Sequence, residues 1–168
     1  KRNIFVSVSD YSIIKICLDK LKFFQFCKKN KIPTIKTLET INENKLKKYV
    51  IKERYGSSSK NIGINLTYKK SIKFLKHLDN PICQEYIKGK EISIDAYYNK
   101  QKSLIGMVMR ERNLIKYGES KISSIFKNKI IESKIKRELI KFKFFGHINI
   151  QAFIIKNKVV FIEINPRF

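Results

Sequence analysis

A chain of 168 residues with 43% hydrophobic and 12% aromatic side chains carries enough apolar surface for one packed core, which excludes an intrinsically disordered segment. Its formal charge of +23 comes mostly from lysines spread through nearly every segment beside Ile and Asn, a pattern of biased composition rather than of one polyanion-binding patch. No apolar run reaches the roughly 20 residues that span a bilayer. No secretory leader opens the chain, and Cys17, Cys27 and Cys83 form no CxxC pair, so the sequence predicts reduced thiols and a cytoplasmic location.

Residues Ile4 to Val8 read as a buried strand, and Asp19 to Asn30 as a helix carrying Leu21, Phe24 and Cys27 or Lys28 at helical spacing. Ile32-Pro33 stops that helix, because proline disfavours helical geometry in the residue before it. Tyr49 to Lys52 is a short strand entering the small-residue loop Gly56-Ser57-Ser58-Ser59, with a second apolar cluster at Asn61 to Leu66. Lys69 to Leu78 follows as a helix, and Ile82 to Ile87 has strand composition. Beyond Gly89, Glu91 to Tyr98 alternates Ile92, Ile94 and Ala96 against Glu91, Ser93 and Asp95, and Leu104 to Arg110 is its hairpin return. Ile131 to Phe142 is an amphipathic helix, and Ile148 to Ile155 pairs with Val159 to Ile164 around Lys156-Asn157-Lys158.

The last strand, Phe161 to Phe168, carries the most chemical information. Period two places Glu163, Asn165 and Arg167 on one face and turns Ile162 and Ile164 to the other. A hairpin centred on Asn157 sets Gln151 opposite Glu163, so three oxygen donors converge, a set that suits magnesium together with substrate phosphates. Taken alone, the same hairpin reads more readily as a solvated polar face on an antiparallel edge. Lys52 before the Gly56 to Ser59 loop is placed to meet phosphate oxygens, or is a solvated lysine beside an ordinary loop. Gln84, Glu85, Tyr86 and Ile87, with Glu91 a few residues on, offer what an adenine slot and a ribose need, or form a core strand and turn. His77 and His147 stand apart from any metal-ligand spacing, and the sequence has no Gly-x-Ser-x-Gly elbow.

Taken in order, these pieces resemble the ATP-grasp superfamily, specifically its carbamoyl-phosphate-synthetase large-chain-like and biotin-carboxylase-like members. The Asp-Lys pair opening a helix is similar to Asp19-Lys20, the strand lysine and mobile loop to Lys52 and Gly56 to Ser59, and the adenine hinge to Gln84-Glu85-Tyr86-Ile87 with Glu91 as the ribose acid. The metal signature resembles Gln151 followed by Glu163, Asn165 and Arg167. The resemblance implies an α+β fold in which two small subdomains with antiparallel sheets sandwich ATP. It also implies an ADP-forming carboxylate–amine ligase that works through an acyl phosphate. Lys20 and Lys52 would hold phosphates, with Gly56, Ser57, Ser58 and Ser59 covering them. Gln151, Glu163 and Asn165 would hold Mg2+ or Mn2+, Arg167 would meet developing charge, and Arg110 and Arg112, on one strand face, are substrate candidates or simply solvated.

The resemblance further implies that residues 1–18 are a remnant of a preceding α/β domain and residues 19–168 the core, with subdomains at about 36–82 and 83–168 and a truncated C-terminus. An unpaired Ile4 to Val8 strand would expose a sheet edge and favour self-association. The partners implied are a small carboxylate and an amine or other nucleophile. Two other classes stay open: a nucleotide-binding regulatory remnant without ligase activity, and a basic module binding nucleic acid through its Lys, Tyr and Phe.

Overall fold

The computed structural model describes residues 6–42, 46–56, 61–116 and 118–167. Helix α1 (Tyr11–Leu18) leads through Asp19 into α2 (Lys20–Lys29). Asp19 is the N-cap: its Oδ1 accepts from the amides of Leu21 at 3.0 Å and Lys22 at 3.1 Å, satisfying two donors that the first turn leaves unpaired. At the other end Lys31 takes a positive φ of 54°, and Pro33 prevents continuation. Ile4 and Phe5 of the strand expected at the start lie outside the described residues. Val6 to Val8 form no strand, and α1, which the sequence pattern did not announce, follows them.

A four-stranded antiparallel sheet comes next, in the order β1-β4-β2-β3. Its strands are β1 (Thr37–Leu38), β2 (Tyr49–Glu53), β3 (Gly63–Leu66) and β4 (Pro81–Glu85), and α3 (Tyr68–Leu75) lies between β3 and β4 in the chain. Tyr49, Ile51 and Cys83 are buried there with Leu46, and Phe74 and Leu75 of α3 pack against them. The larger sheet has five strands in the order β7-β6-β5-β8-β9: β5 (Lys90–Tyr98), β6 (Leu104–Lys116), β7 (Glu119–Phe126), β8 (Gly146–Ile155) and β9 (Lys158–Pro166). Helix α4 (Lys129–Leu139) links β7 to β8. β6 runs six residues beyond the expected Arg110, and β7 was not foreseen, because Ser120, Ser123 and Ser124 dilute its apolar alternation.

One face of the large sheet forms the main core. Ile92, Ile94, Ala96 and Tyr98 of β5 and Ile148, Ile150 and Ala152 of β8 pack with Ile131, Ile135 and Leu139 of α4 and with Phe23 and Cys27 of α2. The Ile131, Ile135, Leu139 spacing is one helical stripe, which explains why α4 seats on the sheet. Phe142 stacks on Phe144 at 5.2 Å between ring centroids. All three cysteines are buried free thiols, and burial pushes Cys17 and Cys27 up to about 12, so they act as small hydrophobes. Gly146 opens β8 at φ +83°, where a Cβ would stand 2.6 Å from Ser7 Oγ.

Two contacts tie the small sheet to the rest of the structure, one to β9 and one to α2. Residues Pro33 to Ile35 run beside β9: Phe161 N donates to Pro33 O at 2.9 Å, and Ile35 N to Phe161 O at 3.2 Å. In addition, Arg54, just past β2, grips Asp19 bidentately, Nε to Oδ1 and Nη2 to Oδ2 both at 2.8 Å, with the Asp19 side chain only 3% exposed. Burial would raise the Asp19 carboxyl, but Arg54 and the helix amides outweigh it and hold the carboxyl below its ordinary value. We expect Asp19→Ala to lower stability by about 2 kcal/mol, from the lost cap and the stranded guanidinium. Asp19→Asn, which keeps the cap, should cost about 1 kcal/mol less in urea unfolding; equal losses would show that the cap contributes nothing.

Candidate nucleotide site

A cleft of about 380 Å³ lies between the two sheets, within the size range of small-molecule sites. Of the residues singled out from sequence, Lys20, Lys52, Gly56, Gln84, Glu85, Ile87, Glu91, Arg112, Gln151 and Glu163 line it. Ser57, Ser58 and Ser59 lie outside the described residues. Asn165 stands beside the cleft, its Nδ2 donating to Glu163 Oε1 at 3.2 Å. Arg167 is not part of the lining: its side chain is exposed, and its backbone N donates to His147 O at 2.8 Å. Arg110 is also outside the lining and pairs with Asp95 at 2.6 Å.

Two lysines reach the cleft from different elements. Lys20, at the first turn of α2, donates Nζ to Gly56 O at 2.9 Å and Arg54 O at 3.4 Å, so the Asp19–Arg54 clasp also sets where this cation stands. Lys52 projects from β2 and, among the described residues, has no hydrogen-bond or ion-pair partner. Burial pushes its ammonium down to about 8, opposed by Glu163 and reinforced by Lys20. Burial also lowers Lys20, again opposed by Glu163. Two desolvated cations facing one carboxylate make a place where an added anion is strongly favoured.

The carboxylate reaches its position through a β-bulge. The hairpin turn is the two residues Lys156 and Asn157, both at positive φ (45° and 62°), with Ile155 opposite Lys158. Continued without a break, that register would set Gln151 against Ile162. The register shifts between Ala152 and Gln151, so Gln151 meets Glu163 as the sequence predicted, but by a different route. The bulge also corrects the expected faces. Ile162 turns to the cleft with Glu163, while Phe161 and Ile164 enter the core.

At the hinge, the Gln84 side chain is buried and donates to Thr37 Oγ1 at 2.9 Å, so it ties β4 to β1 instead of facing the cleft freely. The amides of Glu85 and Tyr86 are taken by the carbonyls of Lys36 and Lys48, both at 3.0 Å, whereas the Ile87 amide has no partner among the described residues. Sequence reasoning missed the apolar walls, Ile35, Val50, Phe153 and Ile162, which come from four separate segments and share no local signal. Arg112, a substrate candidate on sequence, lines the cleft with its side chain 94% buried, ion-paired to Glu91 and hydrogen-bonded to Gly118 O at 2.7 Å and Gln151 Oε1 at 3.4 Å.

A family model for the ATP-grasp domain matches residues 17–168. The chain belongs to the ATP-grasp family. Solved ATP-grasp structures agree on the fold. The biotin carboxylase domain of 2-oxoglutarate carboxylase from Hydrogenobacter thermophilus, solved with MgADP, ADP and bicarbonate, superposes with a TM-score of 0.78 at 14% identity, over 96% of this chain and 42% of that one. D-alanine–D-alanine ligase from Bacillus anthracis gives 0.71 at 15% identity over 95% and 59%, and phosphoribosylglycinamide synthetase from Anaerococcus prevotii 0.65 at 19% over 95% and 45%. This chain therefore spans about half the length of each. Among the described residues, no helix is long and apolar enough to cross a membrane.

The Lys52 environment fixes a pH response for this ATP-grasp cleft. With its pKa lowered to about 8, Lys52 is charged below that pH and largely neutral at pH 9, whereas in the unfolded chain it holds its proton to its ordinary value of 10.5. Between those values the unfolded state binds more protons, so this group favours folding as pH rises. A polyphosphate favours the charged form, so ADP binding at pH 9, where the ligand's own phosphates are fully ionised, should take up a proton through Lys52. Calorimetry in two buffers of different ionisation enthalpy reads this directly, and the uptake should vanish in Lys52→Met.

Proposed function

We propose that this chain is the nucleotide-binding core of an ATP- and Mg2+-dependent carboxylate–amine ligase that forms ADP. The observation carrying the reading is the convergence of Lys20, Lys52 and the Gln151–Glu163 pair in one cleft, whose lining also holds apolar walls and Ile87, with its amide open among the described residues. ATP fits that polarity: the base against Ile35, Val50, Phe153 and Ile162, and the phosphates toward the lysines. Glu91, already paired with Arg112, would accept from the ribose hydroxyls with its remaining lone pairs.

The residues present fit a magnesium ion. Among the described residues, Glu163 Oε2 and Asn165 Oδ1 keep free lone pairs, while Gln151 Oε1 is shared with Arg112, and a hard cation is commonly held by one or two carboxylates plus phosphate oxygens. Glu163 and Asn165 would hold it, with Gln151 beside them. When bound, the ion neutralises polyphosphate charge. The protein's own part is alignment: Lys20 and Lys52 hold the phosphates while a substrate carboxylate oxygen attacks the γ-phosphorus and the bond to the β,γ-bridging oxygen breaks, releasing ADP. An amine then attacks the acyl carbon and phosphate leaves. Arg167, exposed at the end of β9, would reach the phosphoryl group as it transfers.

A thermal-shift titration with ATP and magnesium tests this. A stabilisation that requires both, and that is lost in Lys52→Ala and in Glu163→Ala, is expected, because a ligand bound only by the native state raises stability by mass action. No shift in a folded sample, or a shift that survives both substitutions, would overturn the reading.

A further inference from the structure

Helices α2 and α4 cover the face of the large sheet that points away from the cleft, because the β5 and β8 residues they pack on alternate with the cleft-lining Glu91 and Gln151. The outer side of this helix layer is basic. Lys134 and Arg137 of α4, and Lys141 just past its C-cap, recur at i, i+3 and i+7, which makes one stripe about 10 Å long. Both ends of the stripe are tied to other elements. Lys134 Nζ donates to Asn157 O at 2.6 Å in the β8–β9 turn, and Lys141 Nζ donates to Asn30 O at 3.2 Å at the C-cap of α2. The stripe therefore joins Lys156 and Lys158, which flank Asn157, to Lys28, Lys29 and Lys31 at the end of α2.

This ridge is poor in anions. No Asp or Glu occurs from Lys20 to Leu38. Glu138, the carboxylate within the stripe, is 6% exposed and accepts Arg137 Nε at 3.0 Å and Lys141 Nζ at 2.5 Å, so it holds two of the cations in place. Glu53, Glu85, Glu91 and Glu163 line the cleft on the other side of the sheet. Lysines are spread through every segment of the sequence, but the fold sorts the carboxylates away from this one surface. Lys28, Lys29, Lys31, Lys156 and Lys158 are exposed, and their ammoniums have no partner among the described residues. Like charges gathered in this way repel one another, and a bound polyanion relieves that repulsion.

A row of cations longer than one stripe complements a repeating anion better than a single phosphate, and a nucleic-acid duplex, with one charge per about 1.7 Å of axis, presents the densest such row. We propose that this ridge binds the sugar–phosphate backbone of a duplex nucleic acid without regard to sequence. Its lysines meet phosphates as point charges. No aromatic ring on the ridge is exposed to stack on an unpaired base, so nothing on it selects a single strand. Ile130 and Ile140 are exposed at the two ends of α4, but two separate aliphatic side chains do not make the continuous apolar face that a membrane-surface helix buries. Because ridge and cleft lie on opposite sides of the sheet, a duplex and a nucleotide can be bound at once.

The test is fluorescence anisotropy of a labelled DNA duplex of about 20 base pairs, in two unrelated sequences, titrated with the full chain over a range of salt around 0.1 M. Two triple variants of equal net charge separate place from total charge: Lys28→Gln, Lys29→Gln and Lys158→Gln on the ridge, and Lys69→Gln, Lys70→Gln and Lys73→Gln on α3, all exposed positions. The two sequences should bind alike, with a log–log salt slope of about −4.5 for about five phosphate contacts. The ridge variant should bind at least tenfold more weakly with a slope shallower by about 2 to 3, the α3 variant should stay within threefold of the parent, and saturating ADP with magnesium should change nothing. Equal weakening in both variants would make the effect one of net charge and overturn the proposal. So would displacement by ADP, which places the duplex in the cleft, or capture by phosphatidylserine vesicles with no binding to the duplex.

Discussion

One extra residue in β9 governs the chemistry of the cleft. Without the bulge beside Phe161, the two-residue turn at Lys156-Asn157 would oppose Gln151 to Ile162 and aim Glu163 at the core, where an unpaired carboxylate is strongly disfavoured. With it, Glu163 enters the cleft beside Gln151 and Ile162 becomes part of the apolar wall. The bulge sits where β9 also bonds to Pro33 and Ile35 on its outer side, so the segment that connects the two sheets meets the strand at the same point. Bulges bend a strand and re-aim its side chains, and here both effects serve the site.

Electrostatics follow from that placement. Lys20 and Lys52 are desolvated by the facing sheets, and the Glu163 carboxylate favours the charged form of both, so the three residues form one coupled set rather than two lysines and a separate metal hairpin. Arg112 adds a fourth charge, but most of its guanidinium is consumed by Glu91, Gly118 and Gln151, which makes it a brace across β5, β6 and β8. Asp19 acts from outside the cleft. By capping α2 and binding Arg54 it holds Lys20 against Gly56 and ties the helix layer to the small sheet.

The large sheet separates two tasks by face. Its covered side holds a core of Ile, Ala and Phe against three helices, and its open side carries polar groups in register from Glu91 to His147. Alternation along β5 and β8 makes this division unavoidable: one set of residues is committed to packing, which leaves the other free for ligands.

Much of this was legible in the chain. The alternation of β5, the stripe on α4, the helix start at Asp19-Lys20 and the opposed Gln151 and Glu163 are local patterns, and periodicity reports local patterns well. β7 was hidden because its serines break the alternation, and α1 because its eight residues are a short apolar run whose N-cap residue, Asp10, makes no side-chain cap hydrogen bond. What only tertiary structure decided is what lies between segments distant in sequence: that Arg112 faces Glu91, that Gln84 turns to Thr37, that Asp95 collects Arg110 and Asn149, and that a bulge turns Ile162 into the cleft. The amino-acid sequence determines which strands and helices form, because that depends on neighbours a few residues apart. The partners of a buried charge depend on how the sheets pack, which no local pattern records.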